Sequence, residues 1–153
     1  MTTIYPFNNQ VETGLRSLCI LTATFPKSFD LDYLVCLDYI CVHSGDIDKH
    51  MPSLHPALPN RDGEIYVRRA IIEEGLNLFV AKHLIHRLYT DTGIEYAATE
   101  GASPFLDNLS SVYANNLKDR AKWINKIVIE RSKIELERII KRQSSDFVFQ
   151  LLS

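Results

Sequence analysis

A change of hydrophobic period between residues 64 and 98 constrains the fold of this chain more than any other feature. Residues 64–84 follow helical spacing, and one stripe of them is predicted to be buried: Ile71, Gly75, Leu78, Phe79, Lys82 and Ile85. From Ile85 the period changes to two, with strands predicted over residues 85–89 and 94–98 around the turn residues Asp91, Thr92 and Gly93. This sequence predicts a long helix that leads directly into a hairpin, as in the third helix and wing of a winged helix-turn-helix.

Two more helices are predicted before this unit. The candidate N-caps are Asn8 or Asn9 for the first helix and Asp30 for the second. The second helix, residues 31–42, is so apolar that we predict it to be the central buried helix. Asp32 and Asp38 interrupt it on a side that we expect to face solvent or a helix N-terminus. The fold class is therefore mainly α with a small β-hairpin (α+β), a winged helix-turn-helix-like domain with a long C-terminal helix.

Residues 44–63 differ in composition from the helices on either side. They hold three prolines and two glycines among polar residues, which predicts a loop of about 18 residues. Loops of that length in compact domains are usually functional or disordered, and prolines stiffen the backbone. We interpret the segment as an ordered binding loop.

The C-terminal third is predicted to be one long helix. Ser103 is its candidate cap and Pro104 its first residue. An apolar stripe continues over residues 105–139, so the helix would measure roughly 50 Å and its end would project as a partner-binding arm. The apolar, strand-like tail over residues 147–152 predicts an interface. We divide the chain into a winged-helix-like domain, residues 1–104, and the basic helix with its apolar tail, residues 105–153.

Charge is distributed unevenly along the 153 residues, although the net charge is only −2. Residues 1–117 hold eight basic and fourteen acidic side chains, whereas residues 118–142 hold nine basic and four acidic ones. A basic segment on an acidic body indicates a directed contact with protein or nucleic acid, or else a solvated amphipathic helix. The basic residues are Lys118, Arg120, Lys122, Lys126, Arg131, Lys133, Arg138, Lys141 and Arg142.

Three cysteines, Cys19, Cys36 and Cys41, lie in apolar helical surroundings and have no CxxC spacing. Free thiols in a reducing cytosol explain them best. The N-terminus has no basic region followed by an apolar run, and no stretch is long enough to span a bilayer. We therefore predict a cytoplasmic protein without a membrane contact.

No catalytic constellation stands out in the sequence. The nearest approach to a metal set is His43, His50, His55, Cys36 and Cys41, with His83 and His86 as a separate pair. Their spacings do not match those of structural zinc sites. Serines near these histidines lack a nucleophile elbow, and no phosphate-binding loop is present. We expect no enzyme activity, no metal and no cofactor.

DNA recognition is the main alternative that the predicted fold raises. A recognition helix offers Arg, Lys, Asn or Gln to base edges, but the third helix also carries acidic residues that repel phosphates. The basic last helix, residues 118–142, could contact a phosphate backbone without sequence specificity, or form a protein interface or a homodimer. Trp123, the only tryptophan, is either a core residue or an interface anchor.

Several motifs together resemble a known family. They are Phe7-Asn8-Asn9, Gly14-Leu15-Arg16, Phe25-Pro26-Lys27, Leu31-Asp32, Leu37-Asp38-Tyr39, His43-Ser44-Gly45-Asp46, Ser53-Leu54-His55-Pro56, Leu58-Pro59, Val67-Arg68-Arg69, Gly75-Leu76, Gly93-Ile94 with Tyr96, Thr99-Glu100, Phe105-Leu106, and Tyr113 with Arg120-Ala121 and Trp123. Over residues 7–123 the chain resembles the type 2 middle component of bacterial ABC three-component conflict systems, which are similar in organisation to Lamassu anti-phage defence.

The resemblance implies a winged-helix-like adaptor without activity of its own. Such a subunit would couple an SMC- or Rad50-like ABC ATPase to an effector such as a nuclease, both from the same operon. The candidate partner-binding residues are Asp38, His43, Asp46, His55, Arg68, Arg69, Trp123, Phe147 and Phe149. Asp38, His43 and Asp46 could instead tie the loop to the second helix. Two other functions stay open: a winged-helix DNA-binding regulator, and a small enzyme that uses His43 or His55.

Overall fold

The computed structural model describes residues 9–46 and 61–143 and shows a mainly helical protein with a small antiparallel sheet. The elements in chain order are α1 (Gln10–Ala23), β1 (Phe29–Asp30), α2 (Leu31–Val42), a 3₁₀ turn (Ser44–Asp46), α3 (Arg61–Ala81), β2 (Ile85–Thr90), β3 (Gly93–Ala98), α4 (Ala102–Asp107), α5 (Val112–Glu130) and α6 (Lys133–Gln143). No helix within these residues is long and apolar enough to cross a membrane.

The predicted starts of the first two helices are confirmed by their caps. Asn9 Oδ1 accepts a hydrogen bond from the Glu12 amide at 2.8 Å, and Asp30 Oδ1 accepts one from the Tyr33 amide at 2.8 Å. Each cap satisfies an amide that has no partner inside the first helical turn. Because these signals are local in sequence, α2 begins and ends at the predicted residues.

The core forms where α1 crosses α3 and α2 packs beside them. Glycines allow this crossing, since a Cβ atom on Gly75 would lie 2.6 Å from the backbone nitrogen of Gly14 and 2.7 Å from the carbonyl oxygen of Gln10. The buried stripe of α3 consists of Arg68, Ile72, Gly75, Leu76 and Phe79. The predicted stripe is therefore rotated by about one residue, and Lys82, which we placed in it, is exposed.

The hairpin is confirmed to within one residue at the turn. β2 pairs with β3 from Ile85 opposite Ala98 to Thr90 opposite Gly93, and Gly93 has the expected positive φ of 132°. The structure adds a strand that the sequence analysis missed, because β1 pairs with β3 and gives the order β1-β3-β2. A strand of two residues is too short to show a period of two, and only its tertiary pairing reveals it.

The single long C-terminal helix is wrong, because the segment forms α4, α5 and α6. Ser111 Oγ accepts the Ala114 amide at 3.1 Å and starts α5, and Ser132 Oγ accepts the Glu135 amide at 3.2 Å and starts α6. Between α5 and α6, Arg131 has extended dihedral angles, φ −127° and ψ 145°. These serines favour new helix starts over continuation.

The last helix packs back on the protein instead of projecting from it. Leu136 of α6 is buried in the core against α2, and the Lys133 ammonium lies 5.5 Å from the centre of the Tyr33 ring. Ser103 is not a cap, since α4 begins after Gly101 without a side-chain cap. Pro104 lies in the first turn of α4, where its missing amide hydrogen removes no helical hydrogen bond.

The predicted loop and domain boundaries have different outcomes. Helix α3 begins at Arg61, so residues 61–63 are helical and the predicted loop is too long at that end. The loop prediction for residues 47–60, which include His55, and the tail prediction for residues 147–152 lie outside the described residues. The core extends across residue 104, since Leu117 and Ile124 of α5 pack in the same cluster as Leu18 of α1. The two-domain division stays a prediction.

Candidate partner-binding surfaces

A buried ion cluster joins the three central helices. Asp38 of α2 is fully buried, and its Oδ1 accepts a hydrogen bond from Arg16 Nε of α1 at 2.9 Å. Its Oδ2 accepts one from Arg68 Nη1 of α3. Arg16 Nη2 also donates to Thr13 Oγ1 at 3.3 Å. The one carboxylate therefore contacts an arginine from each neighbouring helix and fixes their relative positions.

The charges in this cluster stabilise one another. Burial by itself would raise the pKa of Asp38, but the charges of Arg16 and Arg68, with their hydrogen bonds, hold that pKa below its usual value. Burial by itself would lower the pKa of Arg16, but the charge of Asp38 and its hydrogen bond, together with Tyr113 and Cys41, raise that pKa above its usual value. The cluster is therefore ionised at neutral pH. Breaking it would leave charge in the protein interior.

Asp38 does not face solvent or a helix N-terminus as we expected. Its whole surface is covered, because the two arginines compensate its charge inside the protein. Arg68 likewise is 5% exposed and already has an acidic partner, where we expected one on another protein. In this conformation neither side chain is available to a partner, and their role in binding stays a prediction.

The other predicted residues lie in four kinds of place. His43 is buried directly after α2, with its ring 4.7 Å from the ring of Tyr39. Asp46 ends the 3₁₀ turn, whereas His55, Phe147 and Phe149 lie outside the described residues. Trp123 is half-buried on α5 and packs against the core, as expected for a core residue.

Arg69 is the one predicted arginine that reaches the surface. Its Nε lies 2.9 Å from Asp32 Oδ1, and the two side chains are 41% and 33% exposed. A pair in this setting is well hydrated and contributes little to folding. Arg69 can therefore exchange its partner at small cost, unlike its neighbour Arg68.

A groove of about 620 Å³ lies where α3 ends and β2 begins. Four of its lining residues come from β2 and none from β3; the full lining is Val80, His83, Ile85, His86, Arg87, Tyr89, Thr99, Glu100 and Gly101. Successive strand residues point to opposite faces, so His86 and Arg87 can both line it only if it follows the edge of the strand. We name this surface the edge groove.

The cation of the edge groove is held in position. Arg87 Nη2 donates to Asn77 Oδ1 of α3, and hydrogen bonds to Tyr96 and Tyr89 raise the pKa of Arg87. A guanidinium with these partners is oriented before anything binds to it. The sequence analysis did not identify Arg87 as a candidate binding residue, because Asn77 and Tyr96 contact it only in the folded protein.

His83 adds a strained backbone to the same groove. His83 follows the last turn of α3 and has a φ of 62°. Its amide donates to the Val80 carbonyl oxygen at 3.0 Å, and the Leu84 amide donates to the Phe79 carbonyl oxygen at 3.0 Å. This is the left-handed helix ending that glycine usually provides. The short connection to β2 was a signal for it, because a helix that leads into a strand in three residues must turn sharply.

Among the described residues, six of the nine exposed large apolar side chains form two groups, one on the hairpin and one on α5 and α6, and Val11, Phe25 and Val67 are exposed elsewhere. Leu88, Tyr89 and Ile94 of the hairpin are 39%, 77% and 44% exposed. On α5 and α6 the exposed set is Val112, Ile129 and Ile134, at 78%, 66% and 62%. Basic side chains accompany the second group, where Lys122, Lys126, Arg131, Lys133 and Arg138 are exposed. Apolar residues beside polar ones are typical of protein interfaces.

The titratable groups expected for metal or redox chemistry are not assembled in this part of the chain. Among residues 9–46 and 61–143, no three His, Cys, Asp or Glu side chains lie together as metal ligands. Cys19, Cys36 and Cys41 are free and buried, and burial raises the pKa of both Cys19 and Cys41 to about 12. Such thiols carry almost no thiolate at neutral pH, so they are poor nucleophiles.

Comparison with known proteins gives one informative match. A family model described as the ABC-three component (ABC-3C) system Middle Component 2 matches residues 6–150. Neither the curated proteins nor the solved structures contain a significant match to this chain. The family match extends beyond the quoted motifs, which reach residue 123, and includes α5 and α6.

Proposed function

The chain belongs to the Middle Component 2 family of ABC-three component systems, and from this premise we propose that it is a non-catalytic adaptor subunit. It couples an SMC- or Rad50-like ABC ATPase to an effector of nuclease type, in a Lamassu-like anti-phage defence complex of the bacterial cytoplasm. Both partners come from the same operon. Its mechanism is binding alone, with no cofactor and no membrane contact.

The observation that carries this proposal is the presence of two exposed apolar groups on different elements. The hairpin group belongs to β2, which packs on α3, and to β3, which packs on α1 and α2. The second group belongs to α5, which packs on α1 and α2, and to α6, which packs on α2. An adaptor must hold two partners at once, and two separate surfaces allow it to do so. The ion cluster around Asp38 keeps the helices that join these surfaces in fixed positions.

We propose further that the N-terminal part is a winged helix. The order α1-β1-α2-α3-β2-β3 and the sheet order β1-β3-β2 support this assignment. On this interpretation α3 is the third helix and the hairpin is the wing. A wing of this kind would serve as a protein-binding element here, because it exposes Leu88, Tyr89 and Ile94.

A DNA-binding regulator is the second candidate, and the same order of elements favours it. Against it, Arg68 is buried on Asp38, and the exposed Glu73 and Glu74 offset the charge of the surface residue Arg69 on the same helix. Little positive charge is therefore left to meet phosphates over residues 67–81 of α3, where the structure describes the side chains. The exposed lysines and arginines of α5 and α6 would supply only non-specific contacts with a phosphate backbone.

Purification of the tagged chain with its neighbouring operon products tests the two candidates. We expect the ATPase and the effector to be recovered in a complex that survives nuclease treatment and 0.3 M salt. Recovery of the chain alone, with steeply salt-dependent binding to duplex DNA, would contradict the adaptor and favour the regulator. The double variant Lys122→Glu and Lys126→Glu on α5 reports whether residual DNA binding uses the basic surface.

A further inference from the structure

The outer edge of β2 is open among the residues that the structure describes. The sheet order places β3 on one side of β2 and no described strand on the other. Alternate backbone amides and carbonyls of an edge strand point away from its neighbour and can pair with another chain. The six residues of β2 contain no proline, which would prevent such pairing.

The edge groove gives a second strand space and a boundary. Residues from both faces of β2 line it, which places it at the edge of this strand, and it is bounded by Val80 and His83 at the end of α3 and by residues 99–101 after β3. Peptide-binding modules that add a strand to a sheet use this combination of an edge and a neighbouring helix. A volume of about 620 Å³ also lies within the range of specific ligand sites.

Charge determines which strand fits the groove best. Its side chains provide a guanidinium from Arg87, imidazoles from His83 and His86, and a phenol from Tyr89, against one carboxylate from Glu100. All but Glu100 can donate hydrogen bonds. Arg87 is already oriented by Asn77, so a carboxylate on the incoming strand meets a positioned cation.

We propose that the edge groove binds an extended segment of a partner protein, which adds to the sheet as a fourth strand beside β2 and places an acidic side chain against Arg87. This inference rests on the proposed adaptor function and specifies how one partner docks. Main-chain pairing along β2 supplies affinity, and the contact with Arg87 supplies specificity. A second copy of this chain fits less well, because pairing β2 with β2 brings two Arg87 side chains together.

Backbone amide hydrogen exchange on the full chain tests the pairing directly. It is measured for the chain alone and for the chain with the purified ATPase and effector components. We expect alternate amides of β2 to exchange at least about tenfold more slowly in the complex, because an outward amide becomes protected only when it pairs. The amides of Phe29 and Asp30 in β1, the other strand beside β3, provide the internal control and should not change.

A charge substitution tests the specificity. Arg87→Glu should weaken binding by at least about tenfold, because it places two carboxylates together, whereas Arg87→Lys should keep most of the affinity. Lys27→Glu is the matched control, since it makes the same charge change at an exposed position outside the edge groove and outside the α5–α6 surface. Thermal unfolding of each variant shows whether the loss of the bond to Asn77 has disturbed the fold.

The outcomes separate this inference from the function on which it rests. A complex that forms with no change in the β2 amides overturns the edge pairing and leaves the adaptor intact. A chain that binds neither component overturns both. Protection that appears in the isolated chain and rises with its concentration assigns the groove to a second copy. Protection that requires residues 144–153, or that a 20-base-pair duplex produces, also overturns the proposal.

Discussion

Two adjacent arginines of α3 meet two aspartates of α2 in opposite surroundings. Arg68 contacts Asp38 in the interior, where both side chains are almost fully covered, and Arg69 contacts Asp32 at the surface, where both are about one-third exposed or more. The interior carboxylate also holds Arg16, so it connects three helices. The same two residue types therefore connect helices in the interior and form an accessible ion pair at the surface.

The largest loss of stability is expected from Asp38→Ala, which removes the carboxylate that connects α1, α2 and α3. Two arginines would stay buried without their carboxylate, and breaking such a pair usually costs about 3–5 kcal/mol of the free energy of unfolding. Urea unfolding monitored by circular dichroism measures this. A loss below about 1 kcal/mol would show that water or other groups compensate the arginines, and would remove the contrast with the surface pair.

A smaller loss of stability is expected from Gly75→Ala, which tests whether the close packing of α1 against α3 helps to hold the ion cluster together. The added Cβ would lie 2.6 Å from the backbone nitrogen of Gly14, so α1 and α3 would have to separate. Overpacking of this kind costs about 1–3 kcal/mol. Glu73→Ala, at an exposed position of the same helix, should stay within about 0.5 kcal/mol. Equal effects at the two positions would contradict the close crossing.

Acid should weaken the interior pair through Asp38. Its pKa in the folded protein is lowered from the usual 3.8, so its contribution to stability is complete above that value and is lost as pH falls through the folded pKa. The urea concentration at the unfolding midpoint of the wild type should therefore decrease as the pH is lowered below about 4. The midpoint of Asp38→Asn should decrease less over the same pH range. Parallel curves for the two proteins would show that Asp38 does not titrate as proposed.

The smallest effect is expected from Asp32→Ala at the surface. An exposed pair contributes about 0.2–1 kcal/mol, and salt reduces this further. We expect the difference in the free energy of unfolding between wild type and variant to be smaller in 0.5 M salt than in 0.05 M salt, and to be close to zero at the higher concentration. A loss as large as that of Asp38→Ala would mean that exposure does not separate the two pairs.

The sequence predicted best what depends on neighbouring residues. The caps at Asn9 and Asp30, the ends of α2 and the hairpin all follow from local spacing and turn chemistry, and each is confirmed. The breaks at Ser111 and Ser132 also had local signals, but a continuous apolar stripe outweighed them in our prediction. Local polar residues that compete with a helix should therefore count more than the continuity of a stripe.

The sites were harder to predict because they depend on contacts between distant residues. Arg68 occupies the same helical stripe as Ile72 and Leu76, which is a signal for burial, yet an arginine is buried only if a counter-charge is present. That counter-charge lies 30 residues away in sequence, on a helix too apolar to show which face holds Asp38. The edge groove likewise arises only when α3 and β2 are placed side by side.

The burial of all three cysteines gives this protein a practical property for spectroscopy. Cys19, Cys36 and Cys41 are the only thiols of the chain, and each is covered by the fold. A maleimide fluorophore or nitroxide attached through a new cysteine at position 89, where Tyr89 is 77% exposed, would therefore report from β2 without competing labels. The native thiols also act as an unfolding sensor, because they become reactive only when the helices separate.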